Sequence, residues 1–236
     1  MTSIVIPAYN EEKNIGKLIA YLNEVTVPHK VEIIIVDGGS SDRTAAEAEK
    51  AGAKVLRSLK KGRAHQMNLG AEQAKGDVLY FLHSDTFPPE TFVEDILLAL
   101  EKEYLCGCFR LQFDIDHKVL NFYSWFTRFD IDQFRFGDQS LFVKRDLFEK
   151  IGGFNENLIV MEDQEVVSRL KDHTQFTIIP KPVHTSARKY EKIGVFKLQF
   201  IFGLILSLFY MGASQEMLLH FYQNVLRTEF EDGFDN

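Results

Sequence analysis

Residues 33–36 read Ile-Ile-Ile-Val, an uninterrupted apolar run that stops at Asp37 and is followed by Gly38-Gly39-Ser40-Ser41. A strand that is apolar at every position needs cover on both faces, and a parallel sheet lying between layers of helices supplies it. The two glycines let the chain turn sharply and bring its backbone close to a ligand. Ser40 or Ser41 caps the helix that Asp42 and Arg43 begin. Asp37 is thereby left at the C-terminal tip of a strand and beside a helix start, the place where open α/β sheets bind nucleotides. Taken alone, the stretch reads equally well as a solvated turn.

The residues around it repeat the same alternation. Ser3–Ile6 is a short apolar strand closed by Pro7, and Asn10 caps a helix in which Ile15, Leu18, Ile19 and Leu22 share a face. After the central strand Val31–Val36 come a helix over Thr44–Lys50, a strand over Ala53–Leu56 and a helix over Ala64–Ala74. A strand over Asp77–Leu82 and a helix over Pro89–Leu100 complete the series. Strand–helix alternation implies a mostly parallel sheet with right-handed crossovers. Beyond residue 105 the rhythm changes. Cys106–Asp116 alternates, with Phe109, Leu111, Phe113 and Ile115 on one face, and residues 119–129 are aromatic-rich without a clear period. A strand over Gln139–Val143, a helix over Asp146–Ile151, a helix over Glu162–Leu170 and a strand over Phe176–Ile179 ended by Pro180 follow. Helices over Val195–Gly212 and Gln215–Leu226 and an acidic, frayed tail over Glu229–Asn236 close the chain. The expected organisation is one domain over residues 1–194, with halves at 1–104 and 105–194, then an apolar helical extension over 195–228 and the tail.

Twenty-seven basic against 34 acidic residues give a net charge of −7, which argues against a general nucleic-acid binder. Cys106 and Cys108, the only cysteines, lie on one face of an extended segment. They read as reduced packing residues of an intracellular protein rather than as a disulfide or half of a zinc site. The N-terminus enters a strand directly, so no signal peptide is expected.

Polar motifs fall at the strand ends: Pro7–Glu12 (PAYNEE) after strand one, Asp37 after strand two and His83-Ser84-Asp85 after the strand ending at Leu82. Glu162-Asp163 stands at a helix start. In a parallel sheet the first three open on one edge, and three converging polar tips are harder to explain as solvated turns than any one alone. The ordered set PAYNEE, VDGGSSDRT, KGRAHQMNLGAEQAKGDVLYFLHSDT, GGF and MEDQE resembles family-2 glycosyltransferases of the GT-A fold. FLHSDT, FGDQSLFVKR and TSARKYEKIGV resemble most closely the radical-SAM/selenodomain-associated subgroup. The resemblance covers residues 2–215 or so.

That resemblance implies an α/β GT-A fold with C-terminal apolar helices, and inverting transfer of a sugar from a nucleotide-diphosphate sugar to a hydroxyl acceptor. A UDP-sugar is the favoured donor; a sugar, a lipid-linked alcohol or a small molecule is the acceptor. Pro7, Ala8, Tyr9 and Glu11 would lie along the base and ribose, Asp37 would accept a hydrogen bond from them, and Arg63 would approach the base or a phosphate. A divalent cation, Mn2+ or Mg2+, would neutralise the diphosphate, since hard cations prefer oxygen ligands. The family's Asp-x-Asp reads His83-Ser84-Asp85 here, so its first carboxylate is missing. Asp85 aligns with the metal-binding Asp, His184 would complete the metal shell, and His83 and Ser84 would line the sugar or nucleotide. Asp163 would serve as the base that takes the acceptor proton, with Glu162 as its neighbour, and Arg188 would bind phosphate. A nucleotidyltransferase fits less well because PAYNEE is acidic. A dinucleotide oxidoreductase lacks G-x-G-x-x-G after strand one. A non-catalytic nucleotide-sugar binder of the same fold is the other alternative, with the altered Asp-x-Asp as its one hint.

Residues 196–213 carry one cation, Lys197, and an apolar stretch shorter than the roughly 20 residues that span a bilayer. Packing on the sheet, an oligomer interface and a helix lying in a membrane surface are the three readings. Arg188, Lys189, Lys192 and Lys197 upstream favour the last, which places the protein in the cytoplasm and peripherally on the inner face of the plasma membrane.

Overall fold

The structure, a computed structural model, describes residues 1–135 and 137–226. Its strands are β1 (Thr2–Ala8), β2 (Val31–Asp37), β3 (Lys54–Arg57), β4 (Val78–Phe81), β5 (Thr86–Phe87), β6 (Cys106–Phe113), β7 (Leu141–Lys144) and β8 (Phe176–Thr185). Its helices are α1 (Ile15–Val25), α2 (Thr44–Lys50), α3 (Arg63–Gln73), α4 (Phe92–Glu101), α5 (Lys118–Phe126), α6 (Arg145–Lys150), α7 (Glu162–Lys171), α8 (Arg188–Ile193), α9 (Val195–Tyr210) and α10 (Gln215–Leu226). All eight strands form one sheet in the order β3-β2-β1-β4-β7-β6-β8-β5. β3, β2, β1 and β4 run parallel, β7 opposes both β4 and β6, and β8 is again parallel to β6.

The all-apolar run behaves as its composition requires. Ile33 and Ile35 face a core shared with α1 and α4, and Ile34 and Val36 face a second core under α3, α6 and α7. Gly70 of α3 lets that helix press on the sheet, because a Cβ there would stand 2.3 Å from Val5 Cγ1. A third cluster, around Leu198, Ile201, Ile205 and Leu218, belongs to α9 and α10.

Several expected element ends move, each for a local reason. β1 continues through Pro7 to Ala8: β4 pairs only with residues 2–5, so the missing amide of Pro7 falls beyond that ladder. Asn10 does not cap α1. It sits at φ 52°, and its side chain accepts from the Ser41 amide at 2.9 Å, which ties the loop after β1 to the loop after β2; the helix begins four residues later, after Asn14. Neither Ser40 nor Ser41 caps α2. Ser40 turns back to Asp37, and Asp42 accepts from the Thr44 amide at 2.9 Å instead. β8 passes both Pro180 and Pro182, because its register against β6 skips from Ile179 to Pro182 and leaves Pro180 and Lys181 outside the ladder. The aromatic segment after residue 117 is a helix, and α8, which the sequence reading did not anticipate, follows β8. The expected tail, 229–236, lies outside the described residues.

Both cysteines are buried thiols, and burial pushes Cys106 up to about 12 and Cys108 up to about 11. Neither is therefore expected to react with a disulfide reagent at pH 8 until the protein unfolds. Titration with Ellman's reagent along a urea gradient checks this: both thiols should appear together with the main unfolding transition.

Candidate active site

The parallel half of the sheet sets three polar tips side by side. Ala8 lies opposite Asp37 in the β1–β2 ladder, and β4, on the other side of β1, runs into His83-Ser84-Asp85. Pro7 and Ala8 are buried and Tyr9 is half-buried. Gln66 on α3 joins the first two tips, donating to Val36 O at 2.7 Å and to Ala8 O at 3.2 Å. Gly38 makes room for that amide, since a Cβ would come 2.9 Å from Gln66 Nε2. Asp37 is 5% exposed and accepts from Ser40 Oγ at 2.5 Å, so its carboxylate is already oriented.

Glu11 is buried and draws the C-terminal part of the chain into this edge. Its amide donates to Thr44 Oγ1 at 2.7 Å, and its carboxylate accepts from Asn14 Nδ2 at 2.9 Å and Arg188 Nη1 at 2.8 Å. Arg188 Nη2 donates to the other Glu11 oxygen and lies 3.3 Å from Asp85 Oδ2. The guanidinium at the start of α8 thus stands between two carboxylates, one from the loop after β1 and one from the β4 tip.

The antiparallel strand β7 delivers the other side. The loop before it brings Asp138 Oδ1 to 2.8 Å from His83 Nδ1. Burial opposes charging the imidazole, yet the hydrogen bond and charge of Asp138 outweigh it and raise the His83 pKa. Burial likewise works against ionising Asp138, and His83 nonetheless holds it below the usual carboxylate range. Asp85 is pushed up by its own burial and then by the Asp138 charge. Ligand atoms of His83, Asp85 and Asp138 all lie within 4.8 Å of one another. Gly137 is the point of closest approach: a Cβ there would be 2.3 Å from Asp163 Oδ2 and 2.5 Å from His83 Nε2, so only glycine leaves those two groups facing across one gap. A small cleft of about 20 Å³ borders His83, Gly137 and Asp163, room for a hydroxyl or a water. A larger cavity of about 500 Å³ borders Asp85, lined also by Asp114, His184 and Ser186, and is of ligand size.

Glu162 and Asp163 open α7, and their surroundings differ. Glu162 is 1% exposed and its Oε1 lies 2.9 Å from Arg63 Nε, while Arg63 keeps 45% exposure. Burial raises the Glu162 pKa, Arg63 opposes that, and Asp163 adds to it. Met161, at φ 68°, turns the chain into α7, and the two amides before it, Ile159 and Val160, donate to Gln215 Oε1 at 2.9 and 3.1 Å. The C-terminal helices therefore hold the loop that presents Asp163.

Of the residues singled out in the sequence, Glu11, Asp85 and Arg188 meet in one cluster, and His83 and Asp163 face each other across Gly137. Arg63 is committed to Glu162. His184 is exposed on β8 opposite Phe87 and is not among the three clustered ligand groups; the third group there is Asp138. Asp138, inside FGDQSLFVKR, is the clustered residue that sequence reasoning missed. A carboxylate just after a glycine and just before an apolar strand was the available signal, but its partner lies 55 positions away.

The profile of "Glycosyl transferase family 2" matches residues 3–152. Glycosyltransferase AglE of Haloferax volcanii is 26% identical over 185 residues, 72% of this chain and 61% of its own length. An undecaprenyl-phosphate 4-deoxy-4-formamido-L-arabinose transferase of Serratia proteamaculans is 28% identical over 213 residues, 85% of this chain and 61% of its own. The chain thus spans less than two thirds of these relatives. Among solved structures, the mannosyltransferase PcManGT of Pyrobaculum calidifontis, in complex with GDP-Man and Mn2+, superposes with a TM-score of 0.71 at 15% identity, covering 95% of this chain and 69% of that one. S. aureus TarS 1-349 in complex with UDP-GlcNAc gives 0.64 at 16%, covering 100% and 74%.

Proposed function

Because the chain belongs to glycosyl transferase family 2 and has the GT-A fold, we propose that it moves a sugar from a nucleotide-diphosphate sugar to a hydroxyl acceptor, with inversion at the anomeric carbon. The observation that carries this reading is the meeting of His83, from the β4 tip, with Asp163, from α7, across Gly137. That meeting supports a donor-side role for His83 and a base role for Asp163, one on each side of a gap that holds a hydroxyl.

The nucleotide lies over the tips of β1 and β2, where the pre-oriented Asp37 accepts a hydrogen bond from base or ribose and Tyr9 and Pro7 border it. Ser84 and Asp85 stand under the diphosphate, and Arg188, already beside Asp85, offers its guanidinium to a phosphate oxygen. His83, Asp85 and Asp138 suit a hard or borderline cation: two carboxylates and an imidazole cluster together, and His83 Nε2 is buried without a hydrogen-bond partner. Asp138 thereby supplies in space the carboxylate that the His83-Ser84-Asp85 motif lacks. A cation held there would neutralise charge on the departing diphosphate. Asp163 takes the proton of the acceptor hydroxyl as the oxygen attacks the anomeric carbon from the face opposite the nucleotide. Glu162, buried against Arg63, fixes the start of α7. Motifs FLHSDT and FGDQSLFVKR support a place in the radical-SAM/selenodomain-associated subgroup.

Incubation with UDP- and GDP-sugars, with and without Mn2+ or Mg2+, tests the reading. Slow release of the nucleoside diphosphate with one donor is expected, together with a cation-dependent rise in melting temperature. Binding of a nucleotide sugar with no hydrolysis or transfer to any hydroxyl acceptor would instead indicate the non-catalytic alternative.

A further inference from the structure

α9 buries one stripe and exposes another. Leu198, Ile201 and Ile205 pack inward, whereas Phe196, Phe200 and Tyr210 recur at helical spacing on the outer side at 75, 73 and 53% exposure. Met211, just past the helix end, is 81% exposed. α5 and the turn after it show the same excess, with Phe122, Trp125, Phe129 and Ile131 all exposed. Tyr190 of α8 links the two elements: its ring packs edge-on against Phe202 of α9 at 6.4 Å and against Phe113 of β6 at 5.2 Å, its hydroxyl accepts from Gln199 at 2.9 Å, and β6 is the strand on which α5 packs. An exposed apolar surface of this kind marks an interaction site.

The charges around it narrow the partner. Lys189, Lys192 and Lys197 are exposed at the N-terminal end of α9, Lys118 is exposed at the start of α5, and Arg128 stacks 4.8 Å above Trp125. Asp130 and Asp132, the acidic groups beside Phe129, are both held by Lys171 at 2.5 Å. Among the described residues on or next to these elements, Asp114, Asp116, Glu191 and Glu216 are the other exposed acids. In a chain of net charge −7, exposed cations thus stand at or just before the N-terminal ends of both aromatic-bearing helices, with Arg128 over the single tryptophan. Exposed Trp, Tyr and Phe rimmed by Lys and Arg match an anionic lipid surface, with the rings at headgroup level and the cations on the phosphates. Among the described residues no helix is long and apolar enough to cross a membrane.

We propose that α5 and α9 together form a docking face for an anionic lipid bilayer, on which the protein lies peripherally. Val160 and Met161, which lead into α7, pack on the inner side of the α9–α10 pair, so docking leaves one helix layer, about 10 Å, between the headgroup plane and the loop that carries Asp163.

The full chain is mixed with phosphatidylcholine vesicles, with or without phosphatidylglycerol. Co-sedimentation and a blue shift of Trp125 emission are expected with phosphatidylglycerol and are expected to weaken as salt is added. Phe196→Glu with Phe200→Glu is expected to weaken binding by at least about tenfold. Lys189→Glu with Lys192→Glu is expected to weaken it by about fivefold per lysine or more. All four positions are exposed, and unchanged melting temperatures establish that the variants fold. Absence of binding to phosphatidylglycerol vesicles overturns the proposal. So does binding that both pairs of substitutions leave intact, or a dimer in light scattering that the Phe196/Phe200 pair dissolves while vesicle binding is absent.

Discussion

Replacing Asp163 by asparagine is expected to lower sugar transfer by about 10²–10⁴-fold while leaving nucleotide-sugar binding unchanged. Asparagine keeps the shape of the side chain but cannot take the hydroxyl proton. Asp163 Oδ2 borders the gap at Gly137, and the opposite wall of that gap is His83. Its neighbour cannot substitute: Glu162 is 1% exposed and held by Arg63. Single-turnover transfer, measured beside donor affinity from calorimetry, checks both parts. Normal transfer by Asp163→Asn would falsify the base assignment, and a large loss confined to Glu162→Gln would move the role one residue.

Replacing Arg63 by methionine is expected to destabilise the fold by about 1 kcal/mol, well under the roughly 3–5 kcal/mol for breaking a fully buried pair, because Arg63 is 45% exposed and the buried Glu162, whose pKa burial already raises, takes up a proton when its partner is lost. Adding Glu162→Leu removes the stranded carboxylate and should restore most of the loss. Urea unfolding midpoints of the two variants decide the matter. Equal stabilities for the single and double variants would mean that Glu162 gains nothing from Arg63.

The parallel half was legible because its signals are local. An all-apolar run needs two covered faces, and polar residues just after such runs must lie on one edge if the strands are parallel. Those two statements place the loops after β1, β2 and β4 without any coordinates. Legibility fails where a contact joins distant positions. Asp138 has no chemistry of its own until β7 lies antiparallel to β4 and brings it to His83. Gln215 looks like an ordinary helix-start residue until the α9–α10 pair folds against residues 159–160. Proline misled twice in the same way. Pro7 and Pro180 read as strand ends, yet one lies beyond the ladder it would have broken and the other sits in a register skip. Ser40 was read as a cap because its type suits one, but the carboxylate three residues earlier is the stronger acceptor for its hydroxyl.

The pairing of Arg188 with Glu11 spans 177 positions. During synthesis the β1–β2–β4 portion leaves the ribosome long before α8 does, with the Glu11 carboxylate still lacking its counter-charge. Long-range closures of this kind come late in folding. A nascent chain therefore closes this sheet edge only when translation has passed residue 188, and, on the proposed donor role of that edge, a ribosome-stalled fragment ending before α8 should fold its parallel strands without retaining a nucleotide sugar.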